Sequence, residues 1–385
     1  MKGWQSLPLE DCIEPVVYKT RVQRKDFLVD GDYPVVSQEE AFINGFWNQE
    51  ADLFKVDRPV VVFGDHTRVL KFVDFDFVLG ADGVKVLKPR PFLDPRFFYY
   101  ELHTARLDSL GYARHYRLLR EHHVAYPHLP EQRRIVAILD EAFEAIATAK
   151  ANTEKNLQNA REAFTSALAS TFPGGGDSNS LADLSLSISD GDHAPPPKAA
   201  SGVPFITISN IDKETRKIDF TDAFAVPREY FEGLKSQRRP QPGDVLYTVT
   251  GSFGIPVLVE DEREFCFQRH IGLIRPRPDV NGRWLTYALL SPAAFAQADA
   301  GATGTAQRTV SLGTLRALRL PKVPSDAQCR DAERLDALDA EVDRLKRTSR
   351  AKLAALDELK KSLLQQAFTG QLTAKSADRQ LATAA

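Results

Sequence analysis

Apolar residues along this chain follow two spacings in turn, and the alternation occurs twice. From Trp4 to Pro130 short apolar runs stand between turn signals: Tyr33-Pro34-Val35-Val36, Val60-Val61-Val62-Phe63, Leu70 to Phe77, and Val84-Lys85-Val86-Leu87. The stretch Leu70 to Phe77 alternates apolar and polar at period two, which predicts one half-buried strand. Asp82-Gly83 predicts a hairpin turn leading into the next strand. Asp94-Pro95 supplies a cap and a first-turn proline for a helix predicted to run to Leu110.

From about Glu131 to Ala169 the spacing changes. Ile135, Ile138, Leu139, Phe143, Ile146, Leu157, Ala160 and Phe164 fall at steps of three and four, the spacing of a coiled-coil seam. Pro173 to Ser180, with three consecutive glycines, reads as a flexible linker. From Leu181 to Pro324 the strand grammar returns in Val203–Ile208, Val245–Thr250, Ile255–Val259 and Ile271–Ile274, with a short helix at Trp284–Ser291. A second heptad stretch from about Asp326 places Leu335, Leu338, Val342, Leu345, Leu356, Leu359 and Leu363 on one stripe, interrupted by Ser349 and Lys352.

The two halves echo one another. Leu139-Asp140, Phe143 and Ile146 match Leu338-Asp339, Val342 and Leu345, and Phe164 to Leu168 matches Phe368 to Leu372. A period near 200 residues is far above that of a solenoid, so the pattern predicts two domains and two long helices. At 1.5 Å per residue each helix of about 40 residues would extend roughly 60 Å, and each stripe can be buried on the other. An antiparallel pair with a similar domain at the start of each helix is the arrangement expected.

Composition narrows the function. At 385 residues and 43% hydrophobic content the chain can form two or three cores. It has no apolar run long enough for a membrane span, and its first residues lack the apolar centre of a signal peptide. Cys12, Cys266 and Cys329 are scattered and odd in number, which disfavours a disulfide framework or a cysteine zinc site and suits a reducing cytoplasm. A net charge of −2 means that any basic face is local. Phosphate-binding, dinucleotide-binding, nucleophile-elbow and H-E-x-x-H signatures are all missing. His115, His122, His123 and His128 lack ligand partners at recognisable spacing, and Asp190-Gly191-Asp192-His193 reads as a turn rather than a metal loop.

Segments that combine small polar, amide and basic side chains recur in both strand-rich blocks, the inventory used to touch base edges and phosphates. They are Ser37-Gln38, Gly64 to Arg68, Gly111 to His115, Thr248 to Gly254, Gln268 to His270, and Thr303 to Thr309.

On these segments, on Pro130-Glu131-Gln132-Arg133-Arg134-Ile135 and on Ala367-Phe368-Thr369-Gly370-Gln371-Leu372, the chain resembles the specificity (S) subunit of type I restriction-modification systems. The likeness covers nearly the whole chain up to Thr373. One departure is the second helix entry, where Pro324-Ser325-Asp326-Ala327-Gln328 stands for Pro-x-x-Glu-Gln and leaves the starting register open. The resemblance implies an α+β fold: two mixed α/β target recognition domains (1–130 and 181–324) separated by two long helices that form an antiparallel coiled coil. The helices would be 131–172 and 325–373, with a linker at 173–180 and a disordered tail at 374–385.

It further implies a non-catalytic, cytoplasmic subunit that reads a bipartite, interrupted sequence in double-stranded DNA. Each domain would read one half, and the coil would set the gap. Two methyltransferase (M) subunits, and restriction (R) subunits where present, would be its partners. S-adenosylmethionine, ATP and Mg would belong to those partners, with no cofactor or metal on this chain. The expected DNA-binding residues are Ser37, Gln38, His66, Thr67, Arg68, Arg114 and His115 in the first domain, and Thr250, Ser252, Arg269, His270, Gln307 and Arg308 in the second. Phe164, Leu168, Phe368 and Leu372 are expected at the coil ends, on the M-subunit interface, because an apolar helix end needs a partner. A two-headed scaffold that grips other proteins is the alternative, and near-neutral charge favours it.

Overall fold

The computed structural model describes residues 3–372 apart from Lys19, Asp82, Ser109, Leu110, Tyr112, Ala194 and Ala306. The chain forms two compact units, one comprising Met1–Thr153 with Ala351–Ala385 and the other Glu154–Arg350. Their boundaries fall inside the long helices. The expected tail at 374–385 lies outside the described residues.

The first unit contains, in chain order, β1 (Gln5–Pro8), α1 (Leu9–Cys12), β2 (Ile13–Glu14), β3 (Tyr33–Val36), β4 (Gly45–Trp47), β5 (Leu53–Phe54), β6 (Val60–Gly64), β7 (Leu70–Val73), β8 (Phe77–Leu79) and β9 (Val84–Pro89). Then come α2 (Pro95–Leu102), α3 (Tyr116–Arg120), β10 (His123–Tyr126) and α4 (Leu129–Thr171). One antiparallel sheet has the order β2-β9-β6-β7; a second, β4-β3-β8-β5, contains one parallel pair, β3 with β8. The apolar run in β6 is explained by cover on both faces. Val61 and Phe63 join the core beneath the helices, while Val60 and Val62 join a separate core with Val36, Phe77 and Leu79.

Three predictions fail here. Leu70 to Phe77 is not one strand: β7 stops at Val73, Asp76 accepts a bond from the Val56 amide at 2.7 Å, and β8 joins the other sheet. For the same reason β8 and β9 are not a hairpin, and Asp82 of the predicted turn lies outside the described residues. The helix after Asp94 is also shorter than predicted. Asp94 caps it by accepting from Arg96 and Phe97 amides, but after Leu102 the Thr104 amide and hydroxyl both turn back to the Glu101 carbonyl and close it.

The second unit contains β11 (Ser178–Ser180), β12 (Ser185–Asp190), β13 (Val203–Ile206), β14 (Ile211–Asp212), β15 (Lys217–Ile218), β16 (Phe224–Val226), α5 (Arg228–Gly233), β17 (Val245–Thr248), β18 (Pro256–Leu258), β19 (Cys266–Phe267) and β20 (Ile271–Pro276). Helices α6 (Gly282–Leu290), α7 (Pro292–Ala300) and α8 (Leu312–Ala317), strand β21 (Arg319–Pro321) and helix α9 (Ser325–Phe368) follow. The sheet β12-β20-β17-β18 repeats the first unit's plan, and β16-β13-β19 is a three-stranded counterpart of the mixed sheet, again with one parallel pair. Residues 178–180, within the stretch read as linker, pair with β21.

Each unit fastens a long helix to its domain with the same polar joint. Buried Gln132 accepts from the amide of the cap residue Asp94 at 2.8 Å and donates to the Phe92 and Pro127 carbonyls at 2.9 and 2.8 Å. Buried Gln328 accepts from the amide of the cap residue Asn281 at 2.9 Å and donates to the Val323 carbonyl at 2.9 Å. About two turns further in, Asp140 takes Arg96 and Tyr100, and Asp336 takes Arg283 and Tyr287. Burial, reinforced by the bonds to these aspartates, pushes both tyrosine phenols above their ordinary range.

These bonds settle the second helix's register. The counterpart of Leu139-Asp140 is Leu335-Asp336, one turn before the Leu338-Asp339 that the apolar pattern selects. Apolar steps of three and four tolerate a shift of three residues; a hydrogen-bonded carboxylate does not.

Within each unit the two helices run antiparallel. In the first, Ile135, Leu139 and Phe143 near the start of α4 share a core with Leu363, Ala367 and Phe368 at the end of α9, and Lys150 pairs with Asp357. In the second, Phe164, Leu168 and Phe172 at the end of α4 share a core with Ala332, Leu335 and Val342 near the start of α9, and Arg334 bonds Thr171 at 2.6 Å. Gln132→Ala or Gln328→Ala leaves buried amide and carbonyl groups without partners and is expected to cost about 1–3 kcal/mol or more. Denaturant unfolding of each variant measures it, and an unchanged midpoint would show that the joints are dispensable.

Candidate nucleic-acid interface

In the first unit the polar cluster forms around the β6–β7 turn. Gly64 and Val69 close it through a 2.8 Å backbone bond, with Arg68 in the left-handed region at φ 63°. Asp65, buried beneath, joins three segments: its amide donates to the Gly83 carbonyl at 2.7 Å, its carbonyl accepts from the His115 amide at 2.8 Å and ring at 3.0 Å, and its carboxylate accepts from the Tyr116 amide at 2.7 Å. Gln38 comes from the segment after β3. Its side-chain oxygen accepts from the His66 amide at 3.2 Å, and its carbonyl accepts from the Thr67 hydroxyl at 2.6 Å. Gly83 is needed beside them because a Cβ there would lie 2.8 Å from the His66 ring and 2.9 Å from the Gln38 side-chain oxygen.

The expected contact residues therefore meet, but not all can face a ligand. Ser37 and His115 are each 1% exposed. His115 opens α3 and is held under the Asp65 carbonyl, and Ser37 packs against Gly80. Both are removed from the contact set. Thr67, Arg68 and Arg114 are exposed, and Gln38 and His66 are half-buried. Arg68 donates to the Leu107 carbonyl at 3.0 Å. Of the predicted Gly111 to His115 segment, Tyr112 lies outside the described residues.

The second unit gathers its six expected residues around the loop between β17 and β18. The Val249 amide donates to the His270 carbonyl at 2.9 Å, the Gly251 amide to the Arg308 carbonyl at 3.0 Å, and the Val310 amide to the Val249 carbonyl at 2.8 Å. Thr250 is buried against Thr309 and leaves the contact set. Ser252 is exposed and accepts from Lys213 at 2.6 Å. Arg308 is occupied by Asp299 and stands 5.6 Å over the Phe253 ring, so it braces the loop rather than reaching out. Arg269 and Gln307 are exposed and His270 half-buried; Ala306 lies outside the described residues. Among the described residues neither the Arg114 nor the Arg269 side chain has a hydrogen-bonding or ionic partner.

Sequence reasoning missed Lys213 and Lys71, and it grouped Asp65 with the contact segments rather than as a buried support. Lys71 has an apolar pattern on both sides in β7 and reads as a solvent-facing strand residue, yet it is 4% exposed. Its ammonium donates to the Ala41 carbonyl at 2.6 Å and the Asn44 side chain at 3.0 Å. Burial pushes its pKa down to about 8, against the opposing pull of Glu39.

The four coil-end residues lie near the ends of α4 and α9, and each packs on a core of this chain. Phe164 and Leu168 are buried in the second unit's core, Phe164 against Tyr287. Phe368 packs on Phe97 with ring centroids 5.2 Å apart, and Leu372 lies on the first unit's core. The apolar helix ends do need a partner, and the chain's own domains supply it.

Among the described residues no group of three His, Cys, Asp or Glu side chains is placed to hold a metal, and no helix is long and apolar enough to cross a membrane. The family model for the type I restriction modification DNA specificity domain matches residues 1–159 and again 195–355. Two solved structures share the fold at 20% identity. One, from work described as the structural basis of complex assembly and conformational transition of the type I R-M system, covers 97% of this chain and 99% of its own with a TM-score of 0.73. The other, the HsdS subunit from Thermoanaerobacter tengcongensis, covers 97% and 98% with a TM-score of 0.54. A search of curated proteins finds no match.

Two matched repeats spanning most of the chain place it in a class of two-domain DNA specificity proteins. The chain belongs to the type I restriction-modification DNA specificity family. Its role is recognition of a DNA sequence.

Two outcomes follow from this geometry. Arg114→Ala and Arg269→Ala, each removing an unpaired exposed cation, are expected to weaken binding across sequences and to reduce the slope of log affinity against log salt by about 1. Salt-titrated binding measures this, and an unchanged slope would place these side chains away from phosphate. For Lys71, the folded chain releases the proton near pH 8 while the unfolded chain keeps it to about 10.5. The unfolded state binds more protons in that window, so stability due to Lys71 rises with pH between them. Wild type should gain on Lys71→Met from pH 7.5 to pH 10 in denaturant melts; a constant difference would contradict the depressed value.

Proposed function

We propose that each unit reads one half of a bipartite, interrupted target, within an assembly that contains modification subunits and, where the cell makes them, restriction subunits. The observation that carries this reading is internal repetition. Both units build the same antiparallel sheet, a mixed sheet with one parallel pair and the same glutamine joint, and both gather polar and basic side chains around the same hairpin. What differs is the side chains displayed: Gln38, His66, Thr67, Arg68 and Arg114 in one, Ser252, Arg269, His270 and Gln307 in the other. Two similar frames with unlike displays suit an asymmetric pair of half-sites.

The support for DNA contact at these positions is chemical. Amide side chains can pair with adenine, arginine with guanine, and hydroxyls with either, each good bidentate pair contributing about 1–3 kcal/mol of discrimination. The resemblance to specificity subunits assigns S-adenosylmethionine, ATP and Mg to partner subunits. On this reading the chain is non-catalytic and works in the cytoplasm. The paired helices α4 and α9, continuous over 43 and 44 residues, set the spacer between the halves.

Selection from random duplexes by the chain assembled with its modification subunits is expected to return one interrupted motif. Exchanging residues 181–324 for those of a relative should change one half of that motif and leave the other intact. Return of no motif, or a change in both halves, would overturn the division of labour. Removing one heptad from each long helix should shorten the spacer with both halves retained, and an unaltered spacer would show that the helices do not set it.

A further inference from the structure

The segment between β3 and β4 in the first unit, residues 38–44, has neither helix nor strand of its own, yet it is held at both ends. At its leading end the Gln38 carbonyl and side chain accept from Thr67 and His66 of the β6–β7 turn. At its far end the Asn44 amide donates to the Val35 carbonyl at 2.8 Å, and the Asn44 side chain accepts from the Ser37 amide at 2.8 Å. Lys71 reaches up from β7 to the Ala41 carbonyl and the same Asn44 oxygen. A buried ammonium is costly, and it persists where several acceptors surround it.

This scaffolding supports two large apolar side chains that are not buried. Phe42 is 46% exposed and Ile43 42% exposed. The Phe42 ring is oriented by an edge contact with Phe75, centroids 5.9 Å apart. Single exposed apolar residues are ordinary, but two adjacent ones on a loop held by a buried lysine, continuous through Gln38 with the exposed Thr67 and Arg68, are a different matter. Apolar side chains beside base-reading polar groups have two uses on DNA: contact with a thymine methyl in the major groove, or a wedge at a base step. Holding them in place beforehand reduces the ordering cost of binding.

We propose that residues 38–44 are a base-contacting loop of the first domain, with Phe42 and Ile43 as its apolar contact and Lys71 as its positioning residue. The proposal rests on the reading of that domain as a half-site reader. It is specific to the first domain. In the second, the strand position of Lys71 is held by buried Val257, and the segment after β13 is tied instead by its own Asn210, which bonds the Thr207 amide and the Asp219 carbonyl.

The test uses the full chain assembled with its modification subunits, with the motif and the half assigned to each domain already known from the selection and exchange above. Phe42→Ala alters an exposed side chain, and Lys71→Met removes the ammonium while keeping bulk. Affinities are measured for the selected duplex and for duplexes with single base changes in each half. Phe42→Ala is expected to lower discrimination about 5-fold or more at one or two positions of the first domain's half only. Lys71→Met should affect the same positions, and the double variant should lose no more than the worse single one, because both act through one loop. Retention of the wild-type ranking by Phe42→Ala overturns the proposal, even if Lys71→Met fails to fold. Equal loss in both halves also overturns it. If the wild-type assembly selects no motif, the half-site reading itself fails.

Discussion

A buried amide side chain anchors each half of this molecule. Gln132 and Gln328 are each buried where the side-chain oxygen accepts from, and the side-chain nitrogen donates to, main-chain groups that helix caps and strand ends would otherwise leave unsatisfied. An unmade bond in such a place costs more than the bond contributes in isolation, so the geometry is strongly enforced. The long helices therefore leave their domains at defined residues. The arginine and tyrosine bonds to Asp140 and Asp336 then fix the rotation of each helix against α2 or α6. Apolar stripes alone would permit sliding by a turn.

With the helices set, sheet architecture decides what can be displayed. The central strands β6 and β17 are covered on both faces, so the positions open to a ligand are at their ends, in the turns and in segments crossing from the mixed sheet. Asp65 in one unit and the bonds of Val249 and Gly251 in the other draw three separate chain segments together beside the hairpin. Side-chain identity at the surface can vary while these supports are main-chain bonds. That separation of frame from display is what a protein reading different sequences on a common plan requires.

The period of the apolar pattern made the repeat, both long helices and most core strands legible before any coordinates. It failed where a decision depended on three-dimensional bonding. The break after Val73 follows from Asp76 capturing a distant amide, and the second helix's register from Asp336 rather than Asp339. The polar clusters of the candidate interface were legible as groups, because glycine, hydroxyl and basic residues cluster in turns. Which members face outward was not. Ser37, His115 and Thr250 belong to these segments but point inward, and Lys71, in a strand that reads as alternating, lies beneath a loop no local pattern connects to it.

The core of the first unit includes Leu363, Ala367 and Phe368, which are separated from Phe97 and Leu139 by more than half of the chain. During synthesis the helix-facing side of the amino-terminal domain stays incompletely covered until residues 363–368 have been made. Contacts so distant in sequence close slowly, because the loop-closure entropy is lost before they form. The first unit can thus complete its core only after every residue of the second, which lies between its two segments, has been made.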